Sequence, residues 1–339
     1  MRAAVLRGGR MVYRDDVGEP TPGPGQVLVA VRACGICGSD LHFAAHGKDA
    51  LALTEQMSGM PMAGAPTVDL SRDVFMGHEF CAEVLEAGAD TDAPPAGTLV
   101  TSFPVLLSEA GVEPIIYSNT TLGGYAERML LSAPLLLRIP NGLDPRHAAL
   151  VEPMAVGLHA VNKSKIERGE TALVLGCGPI GIAIVAALHN RGVETIVAAD
   201  YSHKRRALAE TMGAHQTVDP AQGSPFDNAR PAVIFEAVGV PGILDDVLRR
   251  APMRSRVTVA GVCMQPDTVH PFFGIAKEIS VQFVLAYDPT EFAGSLRAIA
   301  EGEIDVTPLI TGEVGLDGVG AAFDELADPD QHCKIVVTP

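Results

Sequence analysis

The chain has 339 residues, 47% of them hydrophobic and 19% charged, a composition that excludes a disordered chain and predicts two or three packed domains. Acidic residues outnumber basic residues 41 to 25, and the net charge of −16 argues against binding to nucleic acid or to a membrane surface. Six scattered cysteines are too few for a disulfide framework and are typical of a reducing compartment. The N-terminal residues show arginines and glycines before any long apolar run, so we expect no secretory signal and a cytoplasmic protein.

The first 150 residues have the pattern of short strands separated by turns. Runs rich in β-branched residues predict strands over 26–32 and 79–87. Between them, residues 51–73 are rich in Met, Gly, Ala and Pro without periodicity, and we expect an irregular insertion. Its methionines are typical of gap-filling under a loop, with an apolar lid over a substrate as the functional alternative.

From about residue 149 short apolar strands alternate with segments of helical composition, which predicts a parallel sheet wrapped by helices. The uncharged stretch 171–190 could span a bilayer by its length, but its glycines and proline favour a strand followed by a helix. The chain should end with a helix and a closing strand. Strands are predicted at 171–175, 195–199, 232–236, 256–260 and 334–337, and helices at 179–190, 203–212, 241–250 and 291–301.

A glycine-rich turn follows the strand at 171–175 and opens the next helix. Its glycines allow a tight turn, close approach of a pyrophosphate and tight packing of the helix on the strand, which predicts dinucleotide binding. Asp200 ends the following strand, where its carboxylate can accept hydrogen bonds from an adenosine ribose. Arg205 is either part of that adenosine site or part of a solvated helix face. The predicted cofactor residues of the turn are Gly176, Gly178, Pro179, Ile180 and Gly181.

Potential metal ligands stand on separate segments of the chain. Cys34 and Cys37 have the spacing of a thioredoxin-like redox motif, but a dense polar cluster follows them here. Further on come a histidine at 78 and glutamates at 79 and 152. One thiolate, one imidazole and one carboxylate from different segments predict an open catalytic zinc site.

These motifs together resemble the zinc-dependent medium-chain dehydrogenase/reductase family, of the alcohol and polyol dehydrogenase type, over nearly the whole chain. The resemblance implies an α/β protein with a GroES-like β-rich catalytic domain and a Rossmann domain with a doubly wound parallel sheet. The catalytic domain would comprise residues 1–148 and 289–339, and the Rossmann domain residues 149–288. The motifs are CGICGSDLH (34–42), GHE (77–79), VEPMAVGLHAV (151–161) and GCGPIG (176–181).

The resemblance also implies roles for individual residues of the metal site. Cys37, His78 and Glu152 would be the zinc ligands, and Glu79 would resemble the neighbouring acid that binds zinc in some members and gives way to water in others. Asp40 would hold the ring of His78. Cys34 would be a packed neighbour rather than a ligand.

A mechanism is implied in the same way. Zinc would polarise the substrate oxygen as a Lewis acid, and hydride would move from the carbinol carbon to NAD. Ser39 would accept the alcohol proton, and His42 would pass it towards solvent through the cofactor ribose. Because Asp200 would repel a 2′-phosphate, we expect NAD rather than NADP.

The sequence departs from the family pattern in three places. Many members hold a second, structural zinc with four cysteines, but residues 102–121 contain none, so we expect one catalytic zinc and no structural site. The separation of Cys37 from His78 is 41 positions, which indicates an insertion. Polyol-dehydrogenase relatives carry an Arg-Tyr pair where this chain has Ala286 and Tyr287, which favours a secondary or primary alcohol less polar than a sugar alcohol, oxidised to the ketone or aldehyde.

Other functions remain open alongside an NAD-dependent alcohol dehydrogenase. The chain could be a polyol or sugar dehydrogenase, or a catalytically silent nucleotide-binding sensor or scaffold, although a degenerate protein should lose its ligand and relay residues first. A zinc-free quinone or enoyl reductase would not need Cys37 and His78. We expect a small alcohol or carbonyl compound as the substrate, and a homodimer or homotetramer as the assembly.

Overall fold

The structure, a computed structural model, describes residues 1–57, 68–108, 111–227 and 229–339. Its strands are β1 (Ala3–Arg7), β2 (Arg10–Arg14), β3 (Gln26–Gly35), β4 (Glu79–Ala87), β5 (Leu99–Ser102), β6 (Val105–Ser108), β7 (Gly111–Pro114), β8 (Arg128–Ser132), β9 (Leu136–Arg138), β10 (Thr171–Leu175), β11 (Thr195–Ala199), β12 (Gln216–Val218), β13 (Val233–Glu236), β14 (Arg256–Val259), β15 (Ser280–Phe283), β16 (Ile310–Val314) and β17 (Lys334–Val337). Its α-helices are α1 (Gly38–Gln56), α2 (Pro145–Ala149), α3 (Val151–Ser164), α4 (Pro179–Arg191), α5 (His203–Thr211), α6 (Ile243–Arg250), α7 (Pro271–Lys277), α8 (Pro289–Ala300) and α9 (Val319–Leu326).

The chain divides into two compact units, Met1–Glu152 with Ile310–Pro339, and Pro153–Leu309. The first unit is built on a largely antiparallel sheet of order β16-β17-β3-β4-β5-β9, with β8 paired to β3. Apolar side chains of β3 and β4 fill its core together with β1 and α9. The long β3–β4 pairing brings Gly35 opposite Glu79, so the chain that leaves β3 and the chain that enters β4 lie side by side.

Helix α1 is the main departure from the expected structure of this unit. Residues 51–56, which we expected to be irregular, form its last turns, while residues 58–67 of the predicted insertion lie outside the described part. The helix is kinked at His46, whose φ of −131° is not helical, and Gly47 follows the kink. Because the kink changes which side chains face the core, the segment has no single apolar periodicity for sequence analysis to detect.

The second unit contains a six-stranded sheet of order β12-β11-β10-β13-β14-β15, in which every pairing is parallel. This is the doubly wound order, with its switch point between β10 and β13. The predicted β-α-β-α alternation is therefore confirmed. Residues 171–190 fall in β10 and α4, and none of the helices that the structure describes has the length and apolar character needed to cross a bilayer.

The division between the units differs from the expected domain limits at both ends, and residues 149–152, expected in the Rossmann domain, lie in the first unit. Residues 289–309 were expected in the catalytic domain, but they lie in the second unit. The reason is the packing of α8, whose Phe292 and Leu296 are buried. Its Glu291 also accepts a hydrogen bond from Asn162 of α3 and pairs with His159 of the same helix.

Candidate metal and cofactor sites

The candidate metal ligands of the first unit come together because of the β3–β4 register. Cys37 is the N-cap of α1, two residues after the end of β3, and His78 immediately precedes β4. The main-chain N–H of Cys37 donates to Oδ2 of Asp40 at 3.2 Å, which closes a capping box at the start of the helix. The helix start thus presents the thiol and the carboxylate of Asp40 towards the histidine.

His78 is buried, and three acidic groups act on its ring. Burial alone lowers the pKa of His78, but the negative charges of Asp40, Cys37 and Glu152 raise that pKa well above its usual range. Nδ1 of the ring faces Oδ1 of Asp40 at 3.6 Å, and neither atom has a hydrogen-bond partner among the described residues. A thiol, an imidazole and a carboxylate around a site of negative potential form a donor set that fits zinc.

The structure also contains a tighter group of potential ligands elsewhere. Within the described ranges, His159, Asp288 and Glu291 of the second unit have ligand atoms all within 4.8 Å of one another, whereas the three expected zinc ligands do not meet that limit. Both oxygens of Glu291 already have partners: Oε1 accepts from Asn162, and Oε2 accepts from the N–H of Asp288 and pairs with His159. This group is a helix cap that joins α8 to α3, and it is explained without a metal.

Glu79 has a partner that sequence analysis did not foresee. Its two carboxylate oxygens accept hydrogen bonds from Nζ of Lys334 at 2.7 and 2.8 Å, and both side chains are fully buried. Nζ also donates to the carbonyl of Ile36 at 2.9 Å. A Cβ at position 35 would overlap Oε2 of Glu79, so Gly35 is needed here. In this arrangement Glu79 is held by the closing strand, and it would have to leave Lys334 to act as the predicted zinc ligand.

The two predicted relay residues lie on the first turns of α1. Ser39 Oγ donates to Sγ of Cys37 at 3.2 Å, and its main-chain carbonyl accepts from the hydroxyl of Tyr117 at 3.0 Å. His42 is exposed. Since residues 39 and 42 are three apart on a helix, their side chains project from the same face.

The glycine turn of the second unit has the geometry that the motif requires. Gly176 follows β10 with a φ of +89°, which favours glycine. A Cβ at Gly181 would overlap the carbonyl oxygen of Gly176, so the third glycine permits the close contact of helix and strand. Gly178 is the N-cap of α4 and Pro179 its first residue, so the free N–H groups of the helix start face the turn.

Asp200 and Arg205 both lie at this turn. Oδ2 of Asp200 accepts from the N–H of Cys177 at 2.8 Å, and Oδ1 accepts from the N–H of Ser202 at 2.8 Å. Nη1 of Arg205 lies 3.9 Å from where a Cβ of Gly178 would stand, and its buried Nε has no hydrogen-bond partner among the described residues. The structure thus brings a carboxylate and a guanidinium to the edge of the predicted dinucleotide site.

Comparisons with known proteins match both units. The family described as "Alcohol dehydrogenase GroES-like domain" matches residues 23–141, and the family described as "Zinc-binding dehydrogenase" matches residues 179–301. The chain is 30% identical to (R,R)-butanediol dehydrogenase of Bacillus subtilis over the whole length of both proteins. The chain belongs to the zinc-dependent medium-chain dehydrogenase family.

Solved structures agree with that assignment. The 2R,3R-butanediol dehydrogenase of Bacillus subtilis matches with a TM-score of 0.83 at 28% identity, covering 100% of this chain and 99% of the other. A zinc-binding dehydrogenase from Sinorhizobium meliloti 1021 bound to NADP matches with a TM-score of 0.83 at 29% identity, again covering 100% and 99%. The expected fold class, GroES-like with a Rossmann domain, is confirmed, and the chain is an oxidoreductase of the zinc-dependent alcohol dehydrogenase family.

Two residues beside the candidate metal site, Lys334 and Tyr125, were not predicted from the sequence. Lys334 begins the apolar closing strand KIVV, and a lysine in such a strand indicates a buried charged partner. Tyr125 follows two glycines, and its hydroxyl donates to Oδ2 of Asp40 at 2.6 Å. No local pattern identifies that partner, because the two residues are 85 positions apart.

Proposed function

We propose that this dehydrogenase oxidises a small secondary alcohol with NAD, and reduces the corresponding ketone, at a single zinc site. The observation that supports this most directly is that Asp40 faces the ring of His78 at 3.6 Å and that Cys37 and Glu152 also act on this ring by their charge, in a family whose matching model is named for zinc binding. Asp200 at the glycine turn supports NAD as the cofactor. The catalytically silent alternative would not require this donor set to be complete.

Three residues would hold the metal, and the others would position them. Cys37, His78 and Glu152 supply a sulfur, a nitrogen and an oxygen ligand, and when bound the zinc supplies Lewis-acid polarisation of the substrate oxygen. Asp40 faces the ring nitrogen of His78 and orients the imidazole. Glu79, which Lys334 holds by hydrogen bonds, would then be free of the metal, so that water or substrate could bind there.

The proton of the alcohol would move along the face of α1 that carries Ser39 and His42. The hydroxyl of Ser39 is half-buried beside Cys37, so it could accept a proton from an alcohol that enters the site while it passes its own proton on towards His42. His42 is exposed on the same helical face and can release that proton to solvent. The bond from Ser39 to the Cys37 sulfur shows that the hydroxyl must turn away from the sulfur to act in this way.

The substrate class is tested with a panel of alcohols at saturating NAD. Butanediol dehydrogenases are among the most similar relatives, and sorbitol dehydrogenase of Bacillus subtilis is more distant at 24% identity. Ala286 in place of an arginine also removes a cation that could bind several hydroxyl groups. We expect kcat/KM for (R,R)-butane-2,3-diol to exceed that for sorbitol. A preference for sorbitol would favour the polyol alternative, and no turnover by zinc-loaded enzyme would favour the silent one.

Cofactor choice should depend on the charge of Asp200. We expect the ratio of kcat/KM for NAD to that for NADP to fall by about tenfold or more in Asp200→Gly, since a 2′-phosphate no longer meets a carboxylate and can approach Arg205. Asp200→Asn is the matched control for loop geometry, because it removes the charge and keeps an acceptor for the N–H of Cys177 or Ser202. Preference of the wild type for NADP would contradict the assignment.

We also propose that the protein self-associates, with a reducing compartment as its location. Strand β15 is an edge of the parallel sheet and all four of its residues are exposed, Phe283 among them. Two copies of an exposed edge strand can pair about a twofold axis and cover each other. Light scattering that gives the mass of a single chain would contradict self-association.

Each of the six cysteines is a free thiol, which fits the cytoplasm.

A further inference from the structure

The segment around Tyr125 is packed directly onto the chain that leads into His78. The N–H of Gly124 donates to the carbonyl of Gly77 at 2.7 Å, and the N–H of Tyr125 donates to the carbonyl of Met76 at 3.2 Å. Gly77 has a φ of +100°, and a Cβ there would lie 2.8 Å from the nitrogen of Tyr125. A Cβ at Gly123 would overlap the carbonyl of Met76. These contacts hold the backbone of Tyr125 in a fixed position relative to the histidine.

In this position the hydroxyl of Tyr125 donates one short hydrogen bond. It lies 2.6 Å from Oδ2 of Asp40, against 3.4 Å from the carbonyl of Gly35, and the ring is fully buried. Burial and the negative charge of Asp40 raise the pKa of Tyr125 well above its usual range, so the hydroxyl keeps its proton and acts as a donor. A hydrogen bond from a hydroxyl to a buried carboxylate is among the stronger ones in proteins.

The two carboxylate oxygens of Asp40 contact different groups. Oδ2 accepts from Tyr125 and from the N–H of Cys37, whereas Oδ1 faces Nδ1 of His78 and has no hydrogen-bond partner among the described residues. Anchoring of one oxygen by two donors from separate segments fixes the direction of the other. Without the Tyr125 hydroxyl, a single 3.2 Å bond from Cys37 would remain, and the carboxylate could rotate about its side-chain torsion.

We propose that Tyr125 is a positioning residue of the metal site, which fixes Asp40 so that Asp40 fixes the imidazole of His78. The inference rests on the proposed function, because it takes His78 as a zinc ligand. Groups that orient metal ligands from outside the coordination shell commonly change metal affinity by ten- to a hundredfold. The hydroxyl of Tyr125 would act one bond further out, through a carboxylate that is completely buried.

The test is the rate at which zinc-loaded protein releases zinc to a chromophoric chelator, for wild type and Tyr125→Phe. We expect release to be about tenfold faster in the variant, at a temperature where both remain folded in a thermal scan. Tyr117→Phe is the matched control: it loses a hydroxyl near the same helix start, but that hydroxyl donates to the carbonyl of Ser39 rather than to Asp40. The control should release zinc at nearly the wild-type rate.

A double-mutant cycle with Asp40→Asn separates positioning from a general loosening of the fold. If Tyr125 acts through Asp40, its substitution should change the release rate little once Asp40 is replaced. Equal release rates for wild type and Tyr125→Phe would overturn the inference, and so would additive effects in the double variant or an equal effect in Tyr117→Phe. Failure of the wild type to bind zinc would instead overturn the proposed function.

Discussion

Replacement of Cys37 by alanine should abolish zinc binding and lower turnover by about a thousandfold or more. In the proposed site the thiolate of Cys37 would be the sulfur ligand. Loss of Lewis-acid polarisation would remove several kcal/mol of transition-state stabilisation, each 1.4 kcal/mol being a factor of ten. His78→Ala should have the same effect, because it removes the nitrogen ligand. Cofactor binding should be largely retained, since the glycine turn and Asp200 belong to the other unit.

Three measurements on each variant check this prediction: zinc content, turnover, and quenching or enhancement of NADH fluorescence. The matched control is Cys263→Ala, which removes an exposed thiol and should keep both zinc and activity. A Cys37→Ala protein that retained a stoichiometric zinc and near-normal turnover would contradict the assigned ligand set. Loss of NADH binding together with zinc would show that the two sites are not independent.

Replacement of Lys334 by methionine should destabilise the first unit by about 3–5 kcal/mol. The substitution keeps the length of the side chain but leaves the carboxylate of Glu79 buried and without its cation, and an uncompensated buried charge has a cost of this size. Burial lowers the pKa of Lys334, but the charges of Glu79 and Cys37 raise it well above its usual range, so the ammonium is charged at neutral pH. Because the pKa of Lys334 is raised on folding, its contribution to the free energy of unfolding is fully present below about pH 10.5, the ordinary lysine pKa, and is lost only at higher pH.

Urea unfolding of metal-free protein at pH 7 measures this loss without a contribution from zinc. The matched control is Arg297→Met, which breaks an exposed ion pair with Glu301 and Glu303 and should change the midpoint little. The double variant Lys334→Met with Glu79→Gln should recover part of the lost stability, because it no longer buries the unpaired carboxylate of Glu79. An unchanged unfolding midpoint in Lys334→Met alone would show that the pair contributes nothing measurable.

Sequence analysis predicted the second unit well because its signals are local. Strands β10 and β11 are short apolar runs that end at a glycine and an aspartate, and the structure places them at the predicted residues. The glycine turn between β10 and α4 was identifiable because the motif defines its own context, a strand before it and a helix after it. A parallel sheet followed from the alternation alone.

The features that were not predicted from the sequence depend on contacts between distant parts of the chain. Lys334 and Glu79 are 255 positions apart, and their pairing is decided by the strand order β17-β3-β4, which no local pattern shows. Helix α1 was not predicted, and its last turns over 51–56 were expected to be irregular; the helix is kinked at His46. The limit at residue 309 was also missed, because the burial of α8 depends on its contacts with α3.

We expect residues 102–121 to be held together without a structural zinc. Residues 102–121 contain no cysteine, and strands β6 and β7 within them pair antiparallel. Leu106 and Ile115 are buried in the core of the first unit, whereas Leu107 is exposed. Apolar packing of this kind supports the expectation that the segment needs no metal.

Zinc analysis of protein purified without added metal tests the central claim most directly. The account predicts one zinc per chain, lost together with turnover on treatment with a chelator, while far-ultraviolet circular dichroism stays nearly unchanged because no structural metal is coupled to folding. Readdition of zinc should restore turnover with NAD. A reproducible content near two zinc ions per chain would contradict the single-site account, and full turnover by zinc-free protein would contradict the zinc-dependent mechanism.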